Sequence, residues 1–316
     1  MSESSIEMQV FTFPSVGDGK PMHAVIWTDE ALETPRGIIQ IVHGMSEYIE
    51  RYDHLARFFA QHGFVVCGED HIGHGQSVGS PEEWGVMPAK TGKGILVENV
   101  HALRGIMEER YGEQVPYFVY GHSMGSFISR LYLAKHGADL AGCILSGTGF
   151  QPAAVALGGR ALARALSSSK GETYRSATIN GMADGAYGKA IKDARTSFDW
   201  LSTDPAVVDT YIADPACGFM FSVGGYAVLM DLLVELAGAK HMAELPKDTP
   251  VFFAAGADDP VGDSGRGVLK VFGAYRKAGF ADVDLRLYLG MRHEIHNEID
   301  KEKVYNDLLK WLEAHL

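Results

Sequence analysis

Short apolar, β-branched runs recur along the chain. They lie at Val10–Val16, Ala24–Trp27, Gly37–Val42, Phe64–Cys67, Val115–Tyr120, Ala141–Leu145, Val251–Ala255 and Val283–Leu289, each bounded by turn residues. Runs of this length and composition predict strands. From Gly37 onward, segments with apolar residues at helical spacing separate most of them: Tyr48–His62, Ile95–Tyr111, Met124–His136, Gly265–Gly279 and Lys301–Leu316. Strand and helix in alternation predict an α/β fold, a mostly parallel sheet with helices on both faces. Several central runs are apolar at nearly every position, as strands covered on both faces should be.

The alternation breaks between Phe150 and about Pro246, between the sixth and seventh candidate strands. Glycine-interrupted helical pieces such as Ala153–Leu166 fill this block. A structureless loop of that length is rare in a compact domain. The expectation is therefore an inserted helical cap, residues 150–246, on a core made of residues 1–149 and 247–316.

Composition narrows the classes. With 316 residues, 46% of them hydrophobic, one sizeable core with a large insertion fits better than two full domains. A net charge of −12 has the wrong sign for tracking phosphates or holding to anionic lipid, so nucleic acid is not an expected partner. Three cysteines without a C-x-x-C exclude a disulfide framework and a zinc ribbon. The start, Met1 to Glu7, is polar and acidic, unlike a signal peptide. The most apolar stretch, Phe219 to Met230, runs into Asp231 and Glu235 and is too short to span a bilayer. These features point to a cytoplasmic setting.

G-x-S-x-G occurs twice, as Gly121-His-Ser-Met-Gly125 and as Gly75-Gln-Ser-Val-Gly79. Context separates the two. A nucleophilic serine needs a sharp strand-to-helix turn that lifts its Oγ above the sheet, with free N–H groups of the helix end behind it. Ser123 has a strand before it and an amphipathic helix after it, closed at Gly137. Ser77 has neither, and reads as a surface loop serine.

In folds that present a serine this way the acid follows, and the histidine comes last. The strand at Val251–Ala255 exits into Gly256-Ala-Asp-Asp-Pro-Val261, so Asp258 or Asp259 could serve. Asp259 is favoured because Pro260 holds its backbone extended; Asp258 reads as a turn former. The last strand exits into Gly290-Met-Arg-His293-Glu-Ile-His296. His293 is nearer the strand end and is the expected base, while His296 reads as a solvated histidine. The spacing H-E-x-H is not the H-E-x-x-H of a zinc helix, since Asn297 holds the needed position. Two N–H donors should hold the oxyanion: Met124, after the serine, and Met45, after the third strand.

Several segments resemble the monoacylglycerol lipase and lysophospholipase group of α/β-hydrolases. They are His43-Gly-Met-Ser-Glu-Tyr-Ile-Glu-Arg-Tyr52, Asp70-His-Ile-Gly-His-Gly-Gln-Ser77, Gly121-His-Ser-Met-Gly125, Asp258-Asp-Pro-Val261 and Arg292-His-Glu294. The resemblance covers most of the chain in order and is weaker in the cap. It implies the α/β-hydrolase fold, an eight-stranded sheet with an antiparallel second strand. It places the triad on Ser123, Asp259 and His293, and the oxyanion donors on Met45 and Met124. It makes His74 a structural turn residue. It also implies a small acyl-ester substrate and no cofactor. No metal is expected, and transient contact with a lipid or micelle surface is a further expectation. Large apolar residues of the cap, including Phe150, Leu157, Leu162, Phe198, Trp200, Phe219, Met220, Phe221 and Tyr226, suit a fatty chain or simply pack the cap.

Two other readings stay open. An aminopeptidase or thioesterase would use the same fold, the former with a carboxylate to hold the substrate amine. Glu172, Asp184, Asp199, Asp204, Asp209 and Asp214 are the candidates. A non-catalytic ligand-binding member would keep the pocket without turnover. Oligomeric state is not readable from the residues.

Overall fold

The computed structural model describes residues 5–182 and 184–316; the first four residues of the polar start lie outside them. One sheet holds eight strands: β1 (Ile6–Pro14), β2 (Pro21–Asp29), β3 (Gly37–Val42), β4 (Phe64–Glu69), β5 (Tyr117–His122), β6 (Gly142–Ser146), β7 (Val251–Gly256) and β8 (Val283–Tyr288). Their spatial order is β1-β2-β4-β3-β5-β6-β7-β8. β2 runs antiparallel to both of its neighbours, and the pairs from β4 to β8 are parallel. The expected fold class and the reversed second strand are both present.

Helices α1 (Asp53–Gln61) and α11 (Lys301–Glu313) cover one face of the sheet; α2 (Gly92–Tyr111), α3 (Met124–His136) and α10 (Arg266–Ala278) cover the other. Strands β3 to β7 are therefore buried at every position. α11 shows how a stripe seals a face. Val304, Tyr305, Leu308, Trp311 and Leu312 all turn inward, and burying each such side chain is worth about 1.5–3 kcal/mol.

The edges depart from the sequence reading. β1 spans Ile6–Pro14 rather than Val10–Val16, and both of those valines are exposed. Its register is set by antiparallel pairing, Ile6 with Asp29 through to Pro14 with Pro21. β8 stops at Tyr288 and leaves Leu289 in solvent. The segment read as one helix, Tyr48–His62, splits into a 3₁₀ turn at Ile49–Tyr52 and α1. Gly137 does end α3, but at φ −89° it is not left-handed. A Cβ there would lie 2.5 Å from the Leu133 carbonyl oxygen, so room, not handedness, requires glycine.

Between β6 and β7 the chain forms α4 (Ala153–Lys170), α5 (Ala177–Met182), α6 (Asp184–Ala190), α7 (Pro205–Ala213), α8 (Val223–Leu236) and α9 (Ala239–Glu244). α8 is the most apolar stretch, and it packs against both α4 and α3. Its buried charge is answered: Asp231 accepts two hydrogen bonds from Arg164 at 2.7 and 3.0 Å. Glu235 pairs with Lys93. Among the described residues no helix is long and apolar enough to cross a membrane.

Candidate active site

Ser123 sits between β5 and α3 with φ 54° and ψ −121°. A residue with a Cβ held in such a sparsely populated region costs about 1–3 kcal/mol. The surroundings enforce it. Ser123 N–H donates to Ser146 O at 3.0 Å, and the Ser126 hydroxyl donates to Ser123 O at 2.6 Å. The flanking glycines are there for space. A Cβ on Gly125 would lie 1.9 Å from Val42 O, and one on Gly121 would lie 2.3 Å from Ser129 Oγ. The end of β3 thus lies directly on the first turn of α3. Gly125→Ala is expected to lower stability by about 3 kcal/mol, read as a fall in the denaturant midpoint with an unchanged m-value.

Asp259 and His293 meet. The imidazole Nδ1–H donates to Asp259 Oδ2 at 2.9 Å, and Asp259 Oδ1 accepts Val261 N–H at 2.8 Å. Both side chains are buried, whereas Asp258 is exposed and uses its N–H on Met291 O. Burial alone would lower the His293 pKa. The Asp259 carboxylate, with Glu294 and Glu47 behind it, outweighs burial and raises it above the ordinary 6.5. Nε2 remains for Ser123, which lines the same cavity. Among the described residues the Ser123 hydroxyl has no hydrogen-bond partner, the loose arrangement usual before substrate tightens a site.

His296 is not solvated. It is fully buried, stacked on Tyr52 at 4.8 Å, with Nδ1 3.3 Å from the Tyr120 hydroxyl. His122 lies between the two histidines of the loop, 4.7 Å from each ring. Burial holds His122 and His296 well below the ordinary histidine pKa, so both are neutral packing groups. Ser77 is also more than a surface serine: its hydroxyl donates to Asp70 O at 2.7 Å and accepts His23 N–H at 2.8 Å. It pins the turn after β4 to β2. His74 is buried in that turn, with Nδ1 on Ile72 O at 3.0 Å.

The loop after β3 carries the other half of the site. Gly44 N–H donates to Glu47 Oε1 at 2.6 Å, and the Tyr52 hydroxyl donates to the same oxygen at 2.8 Å. Arg51 bridges Glu47 Oε2 and both oxygens of Glu294, the latter at 2.9 and 2.8 Å. Burial pushes Glu294 upward, but the Arg51 guanidinium outweighs it and brings the carboxyl down to about 2. A buried ion pair therefore ties the Gly44 loop to the residue after His293. In the sequence these residues stood out only as parts of motifs, in His43-Gly-Met-Ser-Glu-Tyr-Ile-Glu-Arg-Tyr52 and in Arg292-His-Glu294. Met45 and Met124 line the cavity. Among the described residues their backbone N–H groups donate to no protein acceptor.

The cavity has a volume of about 450 Å³. Phe127, Leu162, Ile179, Leu229, Leu233 and Trp200 give it a largely apolar wall. Phe150, Phe198 and Tyr226 also reach it, whereas Leu157, Phe219, Met220 and Phe221 do not. Phe221 packs on His74 and Tyr226 instead.

Most of the candidate carboxylates between β6 and β7 are engaged elsewhere. Asp204 caps α7, Asp214 accepts the Tyr48 hydroxyl, and Asp209 pairs with Arg195. Asp199 accepts Arg195 N–H, and Glu172 accepts Ala89 N–H at 3.3 Å. The Asp184 side chain lies outside the described residues. Among the described residues, Glu47 and Glu294 are the carboxylates that reach the cavity. His23, Glu50 and Asp70 bring ligand atoms within 4.8 Å of one another. Asp70 is already filled by the N–H groups of Ile49 and Gln76, and Glu50 Oε1 is in contact with His23 and Gln76, so the cluster reads as a hydrogen-bond knot in which Glu50 Oε2 is buried without a partner among the described residues.

The sheet order, the strained serine turn and the Asp–His pair at the strand ends define an α/β-hydrolase. The chain belongs to the family described as serine aminopeptidase, S33, whose model matches residues 33–300. It is 28% identical over 314 residues to the monoacylglycerol lipase of Mycolicibacterium smegmatis, covering 96% of this chain and 97% of that one. It is 26% identical over 298 residues to the monoglyceride lipase of Rattus norvegicus, covering 93% and 88%. Among solved structures it resembles a thermostable carboxyl esterase from Bacillus coagulans, in complex with glycerol. The TM-score is 0.89 and the identity 32%, over 98% of this chain and 99% of that one.

Proposed function

We propose that the protein is a serine hydrolase that cleaves carboxylic esters, with Ser123 as nucleophile, His293 as base and Asp259 as its partner. One observation carries the reading: a serine held in a strained turn at a helix N-terminus shares a cavity with an aspartate-paired imidazole. Ser123 Oγ attacks the ester carbonyl while His293 Nε2 takes its proton. The oxyanion rests on the Met45 and Met124 amides, each worth about 10²–10³ in rate. His293 then gives the proton to the leaving alcohol, and water releases the acyl group by the same path.

The substrate is proposed to be a monoacylglycerol- or lysophospholipid-like acyl ester. The names of the relatives and the apolar cavity wall support this. Residues 150–246 are proposed as the cap of a core formed by 1–149 and 247–316. Val155, Leu157 and Met182 are exposed on α4 and α5, which supports transient contact with a lipid or micelle surface. The three cysteines are free thiols, which supports a reducing, cytoplasmic setting.

A second reading, an aminopeptidase, is favoured by the family description and by Glu47 and Glu294 at the cavity. Both already engage Arg51, which leaves them less free to bind an amine. Turnover of p-nitrophenyl esters against amino-acid p-nitroanilides separates the two. Preferred ester turnover with Ser123 labelled by a fluorophosphonate upholds the first reading; preferred anilide turnover upholds the second. Absence of both turnover and labelling would leave a binding protein.

His293 must be neutral to act as base. Its raised pKa therefore sets the acid limb: kcat/KM is expected to fall tenfold per pH unit below a midpoint above 6.5. A rate profile flat down to pH 5 would contradict that role.

A further inference from the structure

Trp200 is carried by the segment between β6 and β7, 93 residues before His293 in the chain, yet it packs on that imidazole. The ring centroids are 5.0 Å apart with planes at 45°. The backbone around Trp200 is laced to the histidine loop. His293 N–H donates to Trp200 O at 3.3 Å, and Glu294 N–H donates to Leu201 O at 2.7 Å. Arg292 Nη1 donates to Asp199 O at 2.5 Å and to Ser202 O at 3.1 Å. Glu298, buried at the far end of the loop, accepts Arg292 N–H at 2.6 Å and Thr203 N–H at 3.0 Å. It also accepts the hydroxyls of Ser202 and Thr203. Residues 199–203 thus form a strap with the loop that presents His293, and the strap fixes where the Trp200 ring sits.

We propose that Trp200 is a positioning residue for the catalytic imidazole, holding His293 toward Asp259 and favouring the imidazolium that forms when Ser123 gives up its proton. The inference rests on the triad reading above. An aromatic ring attracts a cation lying within about 6 Å of its centroid, and tryptophan does so most strongly. The attraction exists only once the imidazole is charged, so it acts on the transition state more than on bound substrate. The proton passes from Ser123 Oγ to His293 Nε2 and on to the leaving alcohol, and no other reactant is needed. The charged and titratable groups facing His293 are Asp259, Glu294 and Glu47, with Arg51, His122 and His296 behind them. None of these is altered by a change at Trp200.

The test is the pH dependence of kcat and KM for p-nitrophenyl ester hydrolysis in wild type, Trp200→Leu and Trp200→Phe. Ser123→Ala and fluorophosphonate labelling run alongside. Trp200→Leu is expected to lower kcat about tenfold, with KM within about twofold, and to move the acid limb about half a pH unit lower. Trp200→Phe, which keeps a ring face, should recover most of both. A merely structural role would not move the acid limb and would not be rescued by a ring. An unmoved acid limb in Trp200→Leu, or Trp200→Phe as impaired as Trp200→Leu, overturns the inference. Should Trp200→Leu fail to fold, Trp200→Phe decides: a smaller downward step in the NMR titration of His293 supports the proposal, and an unchanged titration overturns it. Unlabelled wild type or an active Ser123→Ala would instead sink the triad reading, and this inference with it. A labelled, Ser123-dependent enzyme whose Trp200 variants titrate as wild type sinks the inference alone.

Discussion

Ser123→Ala is expected to lower kcat by about 10⁴–10⁶ while the protein stays folded. The loss is expected to be large because the hydroxyl is the proposed attacking atom, and among the described residues no neighbour can replace it. The nearest hydroxyl in sequence, Ser126, is committed to Ser123 O. Residual rate above water would come from the amides of Met45 and Met124. The backbone supplies a control. The φ of 54° at this position is strained for alanine as for serine, whereas glycine adopts it freely. Ser123→Gly should be equally inactive yet unfold at a higher denaturant concentration than Ser123→Ala. An active alanine variant, measured on protein shown to be folded, would end the assignment.

Asp259→Asn is expected to lower kcat about 10⁴-fold. The carboxylate accepts from His293 Nδ1 at 2.9 Å and so fixes the tautomer that leaves Nε2 free to take a proton. An amide in its place can present its N–H₂ to the ring, and Nε2 then carries the hydrogen. The imidazolium also loses its partner. Because Asp259 is the group that raises His293 against burial, removing its charge should bring the acid limb of any residual activity to lower pH. A variant whose acid limb stays in place, or whose kcat falls less than tenfold, would mean that another group orients the imidazole.

How much of this could be read from the residues depended on burial. Strands β3 to β7 are covered on both faces, so their runs are apolar throughout and their bounds fall within about two residues of expectation. β1 and β8 lie at the edges, where apolar and polar positions alternate; there the run misplaced the start of β1, while β8 ends one residue earlier than expected. The meeting of Asp259 with His293 was legible, because each follows a strand that ends at the same sheet edge. His296 was misjudged as solvated, since three residues of loop do not reveal which way a ring turns. Ser77 was misjudged for want of its partners, which come from β2 and from the end of β4. The ion pair of Arg51 with Glu294 spans 243 residues, and Trp200 is almost as remote from local pattern. Such pairings exist only once the sheet has brought its strand ends together. The carboxylates between β6 and β7 were plausible amine holders on charge alone, but Asp204 caps α7, Asp214 holds Tyr48 and Asp209 pairs with Arg195.

The packed, uncharged histidines carry a consequence of their own. His43, His74, His122 and His296 are all held below the ordinary value, first by burial. Their contribution to stability is whole above about pH 6.5 and drains away below it, because the opened chain gains protons there that the closed one refuses. Each such site steepens the loss by about 1.4 kcal/mol for each unit of acidity, against a typical reserve of about 5–15 kcal/mol. His293 and His23, drawn the other way, each offset one of them. Acid tolerance in this chain is thus expected to be set by its own interior, since souring the medium loads protons onto the scaffold as well as onto the proposed base.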